Sequence, residues 1–256
     1  MLVHVFQRLT RPFARTIPDL WQDQSPIRAD LFGAERLEHH AQTLAAAQPV
    51  RAGSGRWAPR LDVRVRDNAG FLLDAYKICA QALQAGETVT PAAEWLLDNF
   101  HLVEQQLRQI RDDLPPGYYR QLPKLADGPF AGYPRVFGLA WAYVAHTDSL
   151  ISGPVLARFV SGYQKVQPLM IGELWAVAIT LRIVLIENMR RLALQIVEGQ
   201  EQRRQADAIV NAVLTAETTL GQSQFSAMQS AVSVYETMPL PEHIAAQIAK
   251  RLRGFD

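Results

Sequence analysis

The side chains best equipped for chemistry crowd into one stretch, Tyr118 to Arg191. Aromatic rings and single charges alternate along it: Tyr118, Tyr119 and Arg120, then Tyr133 and Arg135, then Trp141, Tyr143, His146 and Asp148, then Glu173, Trp175 and Arg182. Sugars are held by flat aromatic faces beside planar polar groups, so this composition suits a carbohydrate groove. We take Tyr118, Tyr119, Arg120, Tyr133, Arg135, His146, Asp148, Glu173, Trp175 and Arg182 as candidate carbohydrate- or partner-contacting residues. A second reading stays open beside it: the rings are core, with their OH and NH groups tied to loop backbone.

Carboxylates for glycoside chemistry are present as Asp112-Asp113, Asp127, Asp148 and Glu173. An acid and base pair must sit roughly 5–10 Å apart across the sugar bond, and no spacing here selects such a pair. We assign no catalytic residue. Phosphate-binding glycine loops, GxSxG, HExxH and paired CxxC are absent. The histidines, His4, His39, His40, His101, His146 and His243, form no spaced ligand set, so neither a metal nor another cofactor is expected in this segment. The single cysteine, Cys79, lies between Ile78 and Ala80 in a helical pattern and reads as a small buried hydrophobe.

One charged feature stands inside an apolar run. From Leu174 to Ile186 only Thr180 and Arg182 break the apolar run. A buried guanidinium stays charged and needs a partner. Ala178 and Ile186, at i−4 and i+4, cannot supply one, so Asp148, Asp127 and Glu173 are the candidates for Arg182. Glu187 and Arg191 have the spacing of an ordinary i,i+4 pair.

Helices must position these groups. The spacing predicts helices from Ile27 to Ala47, Asn68 to Ala85, and Thr90 to Arg111. The last has the clearest start: Thr90 as N-cap, Pro91 in the first turn and Glu94 near the positive end of the dipole. LDVRVRD, Leu61 to Asp67, alternates like a strand but is read as a lead-in to a helix. Val50 to Leu61 is predicted as a mobile loop, and prolines and glycines deny the passage Tyr118 to Pro134 a long element. Helices resume at Arg135 to His146 and after Gly153-Pro154, and the most hydrophobic one begins near Gly172. It is apolar on nearly every side, so it is expected to be buried. The run is shorter than the roughly 20 residues a bilayer demands and contains an arginine, so no transmembrane segment is expected. Glu198 to Asp207 reads as a solvated helix surface or hinge, Ala208 to Tyr235 as weaker helices, and Glu242 to Arg253 as a last amphipathic helix after Met238-Pro239-Leu240-Pro241. The fold class is therefore all-α: an irregular multi-helix bundle around a central buried helix at about Gly172–Val197. The expected organisation is a tail or docking segment over 1–26, a helical core domain over 27–197 and a helical extension over 198–256.

Composition narrows the function. The chain has 256 residues, 48% of them hydrophobic, enough for a sizeable core. Lys and Arg number 26 against 25 Asp and Glu, a net charge of +1, so no cationic excess drives phosphate binding and nucleic acid is not an expected partner. One cysteine excludes an internal disulfide and suits a reducing compartment. The start, MLVHVFQRLTRPFARTIP, has no continuous apolar signal core. Its Arg8, Arg11 and Arg15 with Val3, Phe6 and Leu9 suit a membrane surface, but Pro12 and Pro18 interrupt any helix, and we read a disordered tail.

WLLDNFHLVEQQLRQIRDDLPPGYYRQLPKLADGPFAGYPRVFGLAWAYVAHTDS, Trp95 to Ser149, resembles the N-terminal region of cyclic β-1,2-glucan synthases, as does YQKVQPLMIGELWAVAITLRIVLIENMRRLA, Tyr163 to Ala193. PIRADLFGAERLEHHAQTLA, Pro26 to Ala45, and PLPEHIAAQIAKRLRGFD, Pro239 to Asp256, resemble it more loosely. The resemblance implies a very large, multidomain inner-membrane glycosyltransferase that builds a protein-linked β-1,2-glucan from UDP-glucose and cyclises it. It implies a cytoplasmic N-terminal region ahead of the membrane-embedded transferase and a phosphorylase-like domain. This chain carries no membrane helix, DxD nucleotide-sugar site or phosphorylase-like module, so none of the family's catalytic residues transfer to it. The expected identity is an accessory or scaffolding region on the cytoplasmic side of the bacterial inner membrane. Its expected partners are the downstream transferase and membrane domains, with β-glucan as a further candidate. Two alternatives remain: a stand-alone glucan-binding or glucan-acting protein, and a helical protein-interaction module without sugar contact.

Overall fold

A computed structural model describes residues 19–51 and 61–219. The expected tail up to residue 18, most of the predicted loop after Arg51, the weaker helices past Thr219 and the predicted last helix lie outside the described residues. The described residues are dominated by helices: α1 (Asp19–Gln22), α2 (Ala34–Ala47), α3 (Leu61–Gln84), α4 (Pro91–Asp113), α5 (Pro116–Gln121), α6 (Arg135–His146), α7 (Gly153–Gln164) and α8 (Ile171–Thr219). Two short strands, β1 (Val50–Arg51) and β2 (Lys124–Leu125), pair antiparallel with Val50 opposite Leu125. The fold is all-α. One compact unit runs through Leu194 and a second begins at Gln195.

Local chemistry explains most boundaries. The Thr90 side chain accepts a hydrogen bond from the Ala93 amide at 3.2 Å and Pro91 occupies the first turn, so α4 starts where predicted. Its buried face, Ala93, Leu96, Phe100, Val103, Leu107 and Ile110, repeats every three or four residues. LDVRVRD is helix from its first residue, not a lead-in. Leu61, Val65 and Asn68 are buried on one face of α3, and helical spacing prevails over the alternating pattern. Gly86, with φ +73°, ends the α3 passage; the Glu87 amide donates to the Ala82 carbonyl at 2.9 Å.

The predicted first helix is shortened to Ala34–Ala47. Before it, the Ala29 and Phe32 amides donate to the Ala145 and His146 carbonyls at 2.9 and 3.0 Å. Those carbonyls are orphans at the C-terminus of α6. The chain from Ile27 is thus used to cap another helix rather than to form its own, a tertiary demand that local periodicity cannot report. α2 and α7 pack closely. A Cβ on Gly162 would lie 2.8 Å from the Glu38 carbonyl oxygen, so only glycine permits the approach.

The element enclosed by protein is α6. Val136, Phe137, Gly138, Leu139, Ala140, Tyr143, Val144 and Ala145 are all buried. The expectation that α8 is buried on nearly every side needs correction. Ala176, Ile179, Thr180, Ile183, Val184 and Glu187 face inward, and the Thr180 hydroxyl lies 2.8 Å from the Ala176 carbonyl of its own helix and 3.4 Å from the Val136 carbonyl of α6. Ile171, Leu174 and Trp175 form an outward stripe, with Ile171 and Trp175 each 73% exposed. α8 also continues past the predicted end near Val197 as far as Thr219. Beyond Gln195 it carries the local pairs Arg204–Glu201 and Gln205–Glu201, which suit the polar composition there.

Candidate functional site

The structure separates the predicted site residues into a buried ion pair, an open groove above it, and side chains committed to packing elsewhere. The ion pair joins the first residue of α6 to the first turn of α8. Arg135 Nε donates to Glu173 Oε1 and Nη2 to Oε2, both at 2.6 Å, and Glu173 is 1% exposed. Arg135 Nη2 also donates to the Pro168 carbonyl at 2.8 Å, and Nη1 to the Gln167 side chain at 3.1 Å. The Met170 amide adds a bond to Glu173 Oε2 at 2.9 Å. Both charges are thereby compensated in a site where an unpaired one would be costly. The carboxylate hydrogen-bonded to it holds the Arg135 pKa above its ordinary value. The pair fixes the chain entering α8 and the direction of the helix behind it.

Directly after Glu173, the outward stripe forms a groove of about 490 Å³. Trp175 and Tyr118 wall it, Pro115, Ala178 and Ile179 give it an apolar floor, and Arg182 and Asp113 close one edge. The Tyr118 hydroxyl donates to the Gly172 carbonyl, which pins the ring against the start of α8. Burial raises the Tyr118 pKa, and the Glu173 charge adds to the rise, so the hydroxyl keeps its proton. Arg182 Nη1 lies 3.3 Å from Asp113 Oδ2. The expected buried guanidinium is therefore corrected: the Arg182 side chain is 34% exposed, and its partner is Asp113 rather than Asp148, Asp127 or Glu173. Position in sequence hid this pairing, because the connection brings the end of α4 beside Arg182, about three turns into α8, only in three dimensions.

Tyr119 and Arg120 lie on α5 but outside the groove lining. The Tyr119 carbonyl accepts from Lys124 Nζ at 2.6 Å, and that ammonium sits 3.9 Å from the ring centre. Burial pushes the Tyr119 hydroxyl up and brings the Lys124 amine down to about 8. Arg120 is exposed. The Tyr133 hydroxyl accepts from Trp21 Nε1 at 2.6 Å, and its ring stacks on Phe137, so Tyr133 is core. His146 and Asp148 sit at the other end of α6 from Arg135. The His146 ring stacks on Phe32 with centroids 4.0 Å apart, and its Nδ1 meets the Asp30 carbonyl at 2.7 Å. Asp148 accepts from exposed Arg28 at 2.9 Å.

Of a second polar node, sequence reasoning found only the Glu187–Arg191 pair. Glu187, 1% exposed, accepts from Arg64 Nε and Nη2 at 2.8 and 2.7 Å, from Asn68 at 2.8 Å and from Arg191 at 3.1 Å. The expected i,i+4 pair of Glu187 and Arg191 forms, and it is buried inside a larger network. Burial alone would raise the Glu187 pKa, but the bonds from Arg64 and Asn68 and the nearby cations outweigh it and hold the carboxyl below its ordinary value. Arg190, packed against Phe71, is lowered to about 10 by burial and by the charge of Arg64. Lone arginines in helical patterns were its signal, yet only the packing of α3 on α8 brings them together.

Among the described residues no group of three or more His, Cys, Asp or Glu side chains is arranged to hold a metal ion. Among them, too, no helix is long and apolar enough to cross a membrane.

No protein-family model matches the chain. It is similar to the cyclic beta-(1,2)-glucan synthase NdvB of Rhizobium meliloti strain 1021, with 38% identity over 188 residues. That alignment covers 73% of this chain and 7% of the relative's length. The resemblance carried by Trp95–Ser149 and Tyr163–Ala193 is borne out: this chain is related in sequence to a small part of a cyclic β-(1,2)-glucan synthase.

Proposed function

We propose that this chain acts as an accessory, non-catalytic region of a cyclic β-1,2-glucan synthase-like protein. It would work on the cytoplasmic side of the bacterial inner membrane, where it braces the transferase and membrane domains that make glucan from UDP-glucose. The single observation carrying this reading is the 38% identity to a glucan synthase, confined to 7% of that relative's length.

The fate of the carboxylates supports a scaffolding role over a catalytic one. Glu173 is sealed and already accepts from Arg135 and the Met170 amide. Asp148 lies past the far end of α6, whose 12 residues span roughly 18 Å at 1.5 Å per residue from Arg135, the partner of Glu173. That exceeds the roughly 5–10 Å working distance of a glycoside acid and base pair. A stand-alone glucan hydrolase using Asp148 and Glu173 therefore has poor geometric support.

The test is made in the source cells. An immunoblot against this segment should show a membrane-fraction band far larger than 28.7 kDa, or a smaller species that co-purifies with the transferase. Removing the segment should lower β-1,2-glucan output. A free band of the chain's own mass, with glucan output indifferent to its removal, overturns the reading.

A further inference from the structure

We propose that the groove between Trp175 and Tyr118 is a saccharide subsite that holds a segment of neutral β-linked glucan. The inference deepens the accessory reading and rests on it for the identity of the sugar. Four observations carry the chemistry. Trp175 presents a broad apolar ring to solvent, 73% exposed, although the helix bearing it buries its other face. A pyranose offers a matching C–H face, and covering the indole with it removes apolar surface from water.

Second, the platform is preorganised. Tyr118 is tied through its hydroxyl to the Gly172 carbonyl, and Glu173 is locked between Arg135 and the Met170 amide. Ordering costs on binding are accordingly small.

Third, the polar edge is electrically balanced. Arg182 and Asp113 neutralise one another at 3.3 Å, yet both side chains remain partly open, at 34% and 50%. A guanidinium has more N–H donors than one carboxylate contact uses, and a carboxylate more lone pairs. This edge offers donors and acceptors to hydroxyl groups without a net charge to attract phosphate. A neutral polyol suits it better than a nucleotide.

Fourth, about 490 Å³ lies within the roughly 300–1,000 Å³ of small-ligand sites. The groove is open to solvent rather than enclosed, as a polymer segment requires.

The experiment is titration of the full chain with linear β-1,2-linked glucooligosaccharides, with β-1,4-linked ones as the linkage control, by calorimetry and tryptophan emission. Saturable binding of the β-1,2 series is expected. Trp175→Ala should weaken it by about tenfold or more, Trp175→Phe should retain most of it, and Arg182→Met should weaken it several-fold. Because Trp175 is exposed, the denaturation midpoint of the alanine variant should match the parent. Absence of saturable binding by the parent, or binding unchanged in Trp175→Ala, overturns the subsite. If the parent binds no saccharide but Trp175→Ala abolishes co-purification with the transferase, the groove is a protein-docking surface and the proposal fails, while the accessory reading stands. If glucan binds through Trp175 but the chain never associates with a transferase, the subsite stands and the accessory reading fails.

Discussion

Glu187 is the residue whose environment most constrains the molecule. It is closed off from water, and Arg64, Asn68 and Arg191 converge on it from two helices. Removing it leaves guanidinium groups without their counter-charge, a change that costs about 3–5 kcal/mol when a buried pair is broken. Glu187→Ala should therefore lower the urea midpoint sharply. The pH dependence has a definite sign. With its folded pKa held below the ordinary 4.5, the carboxylate stabilises the fold at neutral pH, and that contribution is lost as acidification carries the pH down through the folded value. Stability should fall with decreasing pH below about 5 in the parent, and less steeply in Glu187→Gln. Lys124 behaves oppositely in charge. Burial brings its pKa from 10.5 down to about 8, so the unfolded chain holds the extra proton between these values and stability rises with pH across that window. Lys124→Met should flatten that rise in melts recorded from pH 8 to 10.5. These environments were invisible in the sequence, where Glu187 showed only its i,i+4 spacing to Arg191 and Lys124 lay in a passage rich in prolines and glycines.

At the scale of elements, local signals were legible where a helix carries its own start or stop. Thr90, Pro91 and Glu94 announced α4 because a cap is satisfied within four residues. Thr90→Ala should cost about 1 kcal/mol in chemical denaturation. Local signals failed where a neighbour supplied the deciding bond. Residues 27–33 look helical but cap α6 through Ala29 and Phe32 instead. The meeting of α2 and α7 depends on Gly162, because a side chain there would press on the Glu38 backbone at 2.8 Å. Gly162→Ala should destabilise by about 1–3 kcal/mol, the usual cost of overpacking, measured as a drop in denaturation midpoint. If the variant instead matches the parent, the close approach of these helices is not maintained in solution.

At the scale of the whole molecule, the near-balance of 26 basic and 25 acidic residues is reflected in the pairs described here. Arg135 meets Glu173, Arg64 meets Glu187, Arg28 meets Asp148, and Arg158 and Lys165 share Glu38. A net charge of +1 leaves little cationic excess to hold a polyanion by counterion release. The chain should leave the mobility of duplex DNA unchanged at about 0.15 M salt, and a salt-dependent shift would contradict that expectation. The similarity to a glucan synthase spans 7% of that relative's length.

The sequence by itself determined the fold class, several helix starts and stops, the burial of Cys79 and the kinship carried by Trp95–Ser149 and Tyr163–Ala193. These rest on short-range patterning, since helical periodicity and caps act within a few residues. Only the tertiary structure decided which charges are sealed and which are open. Glu173 is locked away under Arg135, whereas Arg182, the charge that looked most buried in an apolar run, faces solvent beside Asp113. An apolar helix reveals how much surface it can bury but not which side a neighbour will cover, because covering depends on residues brought from far along the chain. Trp175 illustrates the point. Its flanking residues mark it for the core, yet no neighbour among the described residues covers that side of α8, and Trp175 stands as an open aromatic platform.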